Sequence, residues 1–232
     1  IGSERLPRKL LQKADGKTLI QMTWERCKES NADEVIVITD SDEIFRHISD
    51  LGGETFISTT SHDSGTDRVQ EYAKTAGLEA QEVVINVQGD EPLIDIEAVN
   101  QLGDFMHANK YKYGTIAQHF SSNTDLLDPN KVKVVLNDDN SAIEFFRDAP
   151  IVVKDFSKVV LHHVGIYAYQ VDFLHTFAGL SKTKNELNLK LEQMRALDNA
   201  LPLHVLELNL DESWGIDTEE DLIRLRKHLE LN

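Results

Sequence analysis

Residues 83–92 read Val83-Val84-Ile85-Asn86-Val87-Gln88-Gly89-Asp90-Glu91-Pro92. The run opens with β-branched residues, the pattern of a strand buried on both faces. It stops at Gly89, which permits a tight backbone path, and Pro92, which has no N–H to continue a ladder. Two carboxylates are thereby delivered to the C-terminal end of a central strand. In open α/β sheets that edge is where ligands bind. The alternative is an acidic turn between a strand and a helix.

Working outward, the first half alternates strand and helix. Helices are expected over 19–30, from Asp40 to Gly52-Gly53, over 67–76 and over 95–108. Strands are expected at 34–39, 55–57 and 113–119. Asp40 with Glu43 reads as a capping box, and Gly77 as a C-cap. This rhythm predicts an α/β fold with a mostly parallel sheet and helices on both faces. From about residue 120 it changes. Runs 132–136 and 142–146 flank Asn137-Asp138-Asp139-Asn140, a hairpin signal. A long strand follows at 159–169, then helices at 171–179 and 186–199, a strand at 203–208 and a closing helix at 218–228. Thr218 and Asp221 stand in capping-box spacing. One domain, 1–232, is expected, with a hairpin-rich region at about 120–200.

The chain has 232 residues and a formal net charge of −16. That acidity argues against a nucleic-acid backbone or an anionic membrane as main partner, though not against a nucleotide. No run approaches the roughly 20 apolar residues of a membrane span, so no membrane insertion is expected. No signal peptide is read. Cys27 is the single cysteine. It forms no internal disulfide, points to a reducing cytoplasm, and reads as packing in its helix.

Four segments carry candidate chemistry. Arg5, Arg8 and Lys9 concentrate cations in an acidic chain, with Gly2 and Ser3 offering backbone amides, a combination suited to a polyphosphate. Ser61-His62-Asp63-Ser64-Gly65-Thr66-Asp67-Arg68 gathers hydroxyls and amides at a helix start, suiting a ribose, a base edge or phosphate. Thr66 or Asp67 as an ordinary cap is the plainer reading. Asp217 is a simple cap or, with Asp90, a second oxygen ligand for Mg²⁺, an ion held by one or two carboxylates plus substrate phosphates. Together the segments suggest a magnesium-nucleotide site. Asp138-Asp139 reads as a hairpin turn. Of His162 and His163, on opposite strand faces, one belongs to core or surface. Glu192 and Gln193 would ordinarily be a solvated helix face.

Seven motifs extend this reading: Gly-Ser-Glu-Arg-Leu-Pro-Arg-Lys at 2–9, Ser-Gly-Thr-Asp-Arg at 64–68, Asn-Val-Gln-Gly-Asp-Glu-Pro at 86–92, Val-Lys-Val-Val at 132–135, His-His-Val-Gly-Ile-Tyr-Ala-Tyr at 162–169, Leu-Glu-Gln-Met-Arg at 191–195 and Gly-Ile-Asp-Thr-Glu-Glu-Asp-Leu at 215–222. In that order they resemble the CMP-Kdo synthetases, the 3-deoxy-manno-octulosonate cytidylyltransferases. The resemblance implies a Rossmann-like nucleotidyltransferase three-layer sandwich and a homodimer. It also implies an enzyme that joins CTP to the sugar acid Kdo for lipopolysaccharide synthesis. Carried over, Arg5 and Lys9 would hold the triphosphate, and Ser64, Arg68 and Gln88 the cytidine. Asp90 and Asp217 would bind Mg²⁺. Arg147, His163, Tyr167, Glu192 and Gln193 would contact the sugar acid.

The chain also departs from the family. The usual first strand, an apolar run ending Pro-Ala-Arg, is not found before Ile1, and a truncated or renumbered chain is expected. Gly-Lys-Pro becomes Arg8-Lys9-Leu10. Tyr-Phe-Ser-Arg becomes Glu144-Phe145-Phe146-Arg147, followed by Asp148, and Leu189 replaces a glutamate. Glu144 and Asp148 add carboxylates beside Arg147, which would suit an amino sugar such as 8-amino-3,8-dideoxy-manno-octulosonate. Another sugar acid, or a silent nucleotide-binding homologue, are the alternatives.

Overall fold

The computed structural model of the chain describes residues 6–62, 64–148, 159–210 and 215–231. A 3-10 turn at Lys9–Leu11 precedes the hairpin β1 (Lys13–Ala14) and β2 (Lys17–Thr18). Then come α1 (Leu19–Cys27), β3 (Ile36–Thr39), α2 (Asp42–Asp50), β4 (Glu54–Ile57), α3 (Gly65–Ala76), β5 (Val83–Asn86), α4 (Ile96–Asn109) and β6 (Tyr113–Gln118). They are followed by α5 (Asn123–Leu127), β7 (Lys133–Leu136), β8 (Ala142–Phe146), β9 (Val160–Gln170), α6 (Val171–Ala178), α7 (Lys184–Leu189), α8 (Met194–Asp198), β10 (His204–Glu207) and α9 (Glu219–Leu231). These form two compact units. The first comprises Ile1–Gly77, Val87–Asn100 and Asp211–Asn232, and the second Leu78–Asn86 and Gln101–Leu210.

In the first unit β3 and β4 run parallel, from Ile36 opposite Glu54 to Thr39 opposite Ile57. Helix α2 crosses between them. Its cap is Ser41 rather than the expected Asp40: the Ser41 hydroxyl accepts from the Ile44 amide at 3.3 Å. Asp40 instead accepts from Arg68, and a capping side chain serves only one site. Leu19 and Ile20, neighbours on α1, feed two apolar clusters. Ile20 packs with Trp24, Val37, Ile44 and Ile48. Leu19 packs with Leu6, Ala14, Ile216, Leu222 and Leu225. The second cluster draws the start and end of the chain together, which sets Asp217 beside Lys9. The Thr218–Asp221 capping box is formed, with the Asp221 amide donating to Thr218 at 3.2 Å and the Thr218 amide to Asp221 at 2.9 Å.

Gly53 ends the α2 connection where there is no room for a side chain. A Cβ there would lie 2.5 Å from Ile48 Cγ2 and 2.8 Å from the Trp24 ring. Both neighbours are buried and cannot swing away. Gly53→Ala is expected to destabilise this unit by about 1–3 kcal/mol, read as a lower urea midpoint. An unchanged midpoint would show that the contact relaxes freely.

The second unit holds a six-stranded sheet of order β10-β6-β9-β7-β8, with β5 also on β9. It is mixed rather than mostly parallel. The β5-α4-β6 rhythm does yield two strands of the same direction, but β9 lies between them, antiparallel to both. Among the described residues of this unit only β10 and β6 pair in parallel. One edge of β9 is shared: Tyr167–Gln170 pair with β5 and Val160–His162 with β7. Between these partners β9 also bulges. Thr115 of β6 faces Tyr167 while Ile116 faces Val164, which leaves Gly165 and Ile166 as extra residues. Two neighbours part at this point, and the bulge leaves the sheet open there.

The helix expected over 186–199 is broken. It ends at Leu189, Lys190 adopts φ 53°, ψ 48°, and a new helix starts at Met194. The left-handed conformation costs a lysine about 1–2 kcal/mol, so surrounding contacts hold it. The 137–140 hairpin forms as expected, with Asn140 at φ 62° and Asp139 accepting from the Ser141 amide at 3.0 Å. Asp138-Asp139 is thus accounted for as a turn. The Cys27 thiol is pushed up to about 11 by burial, which fits packing.

Candidate functional site

In the first unit Lys9, Asp90 and Asp217 meet. The Lys9 ammonium pairs with Asp90 Oδ2 and donates to Asp217 Oδ1 at 2.9 Å. Burial pulls the Lys9 pKa down, but the two carboxylates, Asp90 foremost, outweigh it and leave it raised. The chain reaches this arrangement through close packing at Gly89, where a Cβ would meet Ile20 Cδ1 at 2.8 Å. The Thr23 hydroxyl ties the Gly89 carbonyl at 3.1 Å, and the Ile216 amide ties that of Asp90 at 2.9 Å.

Two carboxylates converging on one cation form a hard-oxygen donor set, which fits a magnesium ion that takes its other ligands from water and phosphate. Among the described residues no group of three or more His, Cys, Asp or Glu side chains is placed to hold a metal. Arg5 lies outside the described residues. Arg8 pairs with Glu43 at the surface.

Glu91 is the second carboxylate of Gly-Asp-Glu-Pro, and its sequence position alone points to no particular role. Its pKa rises to about 7, through burial first and then the charges of Asp90 and Asp217, with Lys9 opposing. Gly215 leaves room for it: a Cβ there would stand 2.8 Å from Glu91 Oε1.

Ser64 caps α3, accepting from the Asp67 amide at 3.2 Å, so neither Thr66 nor Asp67 is the cap. Arg68 donates to Asp40 at 2.9 Å, while its Nε is buried without a partner among the described residues. Gln88 is exposed. Side chains of the preceding loop converge on Glu71. Ser58, Thr59 and His62 all bond Glu71, His62 at 2.6 Å, and these bonds, Ser58 first, hold the Glu71 carboxyl down at about 2.

The second unit places His163, Tyr167, Glu192 and Gln193 around one cavity of about 330 Å³ at the opening in the sheet, with Asn130 and Lys190. Gln193 is only 2 % exposed, not the solvated face its helical spacing implied. It precedes α8 without capping it. Its Oε1 accepts from the Tyr167 hydroxyl at 3.1 Å, and its Nε2 is buried with no partner among the described residues. A buried amide donor left unpaired is costly, so a ligand acceptor is the natural complement.

His163 is the buried member of its pair, and desolvation lowers it to about 3. The Thr115 hydroxyl has one proton and lies 2.7 Å from the Ile166 carbonyl. It therefore accepts from His163 Nε2–H at 3.0 Å. Among the described residues that leaves Nδ1 a bare acceptor on a neutral ring.

Arg147 does not line the cavity. Its guanidinium donates to the carbonyls of Leu189 at 2.9 Å, Lys190 at 3.3 Å and Pro129 at 3.3 Å, beside it. Lys133 is fully buried, its ammonium on the carbonyls of Asp128 at 2.6 Å and Arg147 at 2.7 Å, and desolvation lowers its pKa. The signal for it was a lysine within an apolar strand. Glu144 is exposed on the face of β8 opposite Phe145, whose ring packs 5.0 Å from His163.

A cytidylyltransferase family model matches residues 1–205. The chain is 38% identical to the 3-deoxy-manno-octulosonate cytidylyltransferase of Saccharophagus degradans, covering 98% of this chain and 94% of that one. It is 39% identical to the enzyme of the same name from Thermodesulfovibrio yellowstonii, covering 95% and 91%. A solved structure of CMP:2-keto-3-deoxy-manno-octonic acid synthetase complexed with CTP matches with TM-score 0.90 at 32% identity, over 99% of this chain and 95% of that one. The α/β nucleotidyltransferase fold extends to CTP:phosphocholine cytidylyltransferase from Streptococcus pneumoniae, with TM-score 0.64 at 18% identity, over 98% of this chain and 94% of that one.

Proposed function

The chain belongs to the cytidylyltransferase family, and from that premise we propose that it couples CTP to a Kdo-type eight-carbon sugar acid, giving the CMP-sugar for lipopolysaccharide synthesis and releasing pyrophosphate. The convergence of Lys9, Asp90 and Asp217 carries this reading. The oxygen of the anomeric hydroxyl bonds to the α-phosphorus of CTP as the bond to pyrophosphate breaks, and the hydroxyl proton passes to solvent. Lys9, with Arg5, neutralises the phosphates. Asp90 and Asp217 would hold magnesium, which when bound adds further neutralisation on phosphate oxygens.

Ser64, Arg68 and Gln88 serve the cytidine; the orphan Arg68 Nε supports this. The sugar acid takes the cavity of the second unit. Gln193 Nε2 donates to it and neutral His163 Nδ1 accepts from it. Tyr167 orients Gln193, and Glu192 accepts from hydroxyls. Arg147 offers its remaining N–H groups to the carboxylate. A homodimer and a cytoplasmic location belong to the same proposal. Ile143, exposed on the last strand of the sheet path, supports the first and the single cysteine the second. Among the described residues no helix is long and apolar enough to cross a membrane.

The test is pyrophosphate release from CTP and Mg²⁺ with Kdo and 8-amino-Kdo in parallel. Release with Kdo is expected. Asp148, whose charge reaches Lys133, keeps the amino sugar as the second arm, whereas Glu144 faces away from His163. Preference for the amino sugar that Asp148→Asn abolishes would select that arm. No release with either, by folded protein that binds CTP, would overturn the proposal in favour of another sugar acid or a silent binder.

A further inference from the structure

The break between α7 and α8 is held by a buried ion pair that none of the sugar contacts above includes. Arg195 and Glu186 are 2 % and 6 % exposed. They form a two-pronged bridge, Arg195 Nε to Glu186 Oε2 at 2.9 Å and Nη2 to Oε1 at 2.6 Å. The same Nη2 reaches Glu192 Oε1 at 3.3 Å. The guanidinium also lies 4.7 Å from the centre of the buried Phe177 ring. Glu186 is itself fixed by a capping box with Thr183.

The pair thus clasps the residues on either side of Lys190–Gln193, the stretch that lines the cavity. The Leu191 amide donates to the Glu186 carbonyl at 3.2 Å, and the Arg195 amide to that of Glu192 at 3.0 Å. From the other side Arg147 holds the carbonyls of Leu189 and Lys190. Such clasping accounts for a left-handed lysine between two helices and for a buried Gln193 whose Nε2 has no partner among the described residues.

We propose that the Arg195–Glu186 pair is a positioning device that presets the Lys190–Gln193 turn, so that Glu192 and Gln193 face the sugar acid before it arrives. This rests on the sugar acid binding in that cavity. The two side chains touch no substrate and act through the turn. A planar fork is needed, because one ammonium cannot satisfy both carboxylate oxygens and Glu192 in fixed directions. Presetting lowers the ordering cost of binding, so its loss falls on sugar affinity and not on CTP.

Arg195→Lys keeps the charge but loses the fork. The double variant Glu186→Gln, Arg195→Gln removes both charges together and avoids an unpaired buried charge. In each folded variant the KM for the sugar acid should rise about tenfold or more, while the KM for CTP stays within about twofold. A merely structural role would move both together or neither. Sugar KM within about twofold of wild type in either folded variant would overturn the proposal, as would an equal rise in both KM values.

Hydrogen exchange on the ligand-free wild-type protein requires no variant to fold. The amides of Leu191 and Arg195 should exchange at least about a hundredfold slower than in an unstructured peptide. Exchange at the unstructured rate would sink presetting. Wild-type protein inactive with every sugar acid would instead sink the functional reading, which the exchange result leaves untouched.

Discussion

Asp90→Asn is expected to lower the release of pyrophosphate from CTP and sugar acid by about a thousandfold or more, while the chain still folds. Asp90 and Asp217 are the two oxygen donors brought to one cation, and the amide keeps the shape while removing half of that negative charge. Stabilising charge on a transferring phosphoryl group is the main work of such a site and amounts to several kcal/mol. At 1.36 kcal/mol per factor of ten, about 4 kcal/mol is three orders of magnitude. The fold should tolerate the change, because Lys9 keeps Asp217 at 2.9 Å and the Ile216 amide still ties the Asp90 carbonyl. Turnover within about tenfold of wild type at saturating Mg²⁺ would remove Asp90 from the catalytic set.

Acid should weaken the second unit through His163, and the size of the effect makes it measurable. The folded ring is lowered to about 3 from an ordinary 6.5, by burial first and then by the neighbouring His162. Between those two values the unfolded chain binds a proton that the folded chain refuses. Stability therefore rises with pH across this window, is complete above 6.5 and is lost progressively below it. His162, lowered to about 4, acts with the same sign. For His163 alone the loss between pH 6.5 and 5 is roughly 2 kcal/mol, at 1.36 kcal/mol per pH unit. Urea unfolding at several pH values should show this slope in wild type and a shallower one in His163→Gln. Equal slopes would mean that the ring is protonated in place, contrary to its burial.

The same neutrality bears on recognition. A histidine charged at pH 7 would pair with the sugar carboxylate. On the proposed reading His163 instead offers one lone pair at Nδ1, which suits a hydroxyl of the sugar acid. Any carboxylate must be met by cations nearby, of which Arg147 already gives three N–H groups to backbone carbonyls. Among the described residues that leaves two, one on each Nη.

Local chemistry made much of this protein legible before any coordinates. β-branched runs, Gly77 as a stop and Thr218–Asp221 as a cap are decided within a few residues, by torsional preference and short-range hydrogen bonds. They placed most of the strands and helices and the hairpin at 137–140, though not the short β1–β2 hairpin or α5. Asp90 and Asp217 were readable as candidate carboxylates because Gly-Asp-Glu-Pro ends an apolar run and Gly-Ile-Asp-Thr stands just before the closing helix. Tertiary structure alone decided the rest. It set β9 between β5 and β6, since a strand's partner depends on burial and chain path. It closed Lys9 on Asp90 and Asp217 through an apolar cluster joining residues 6–19 to 216–225. It broke the helix at Lys190, because the Arg195–Glu186 bridge and the Arg147 bonds outweigh the helical propensity of that run. It buried Gln193, whose spacing alone had marked it for solvent. Where residues far apart in sequence compete for one guanidinium or one edge of a strand, no local pattern records which of them prevails.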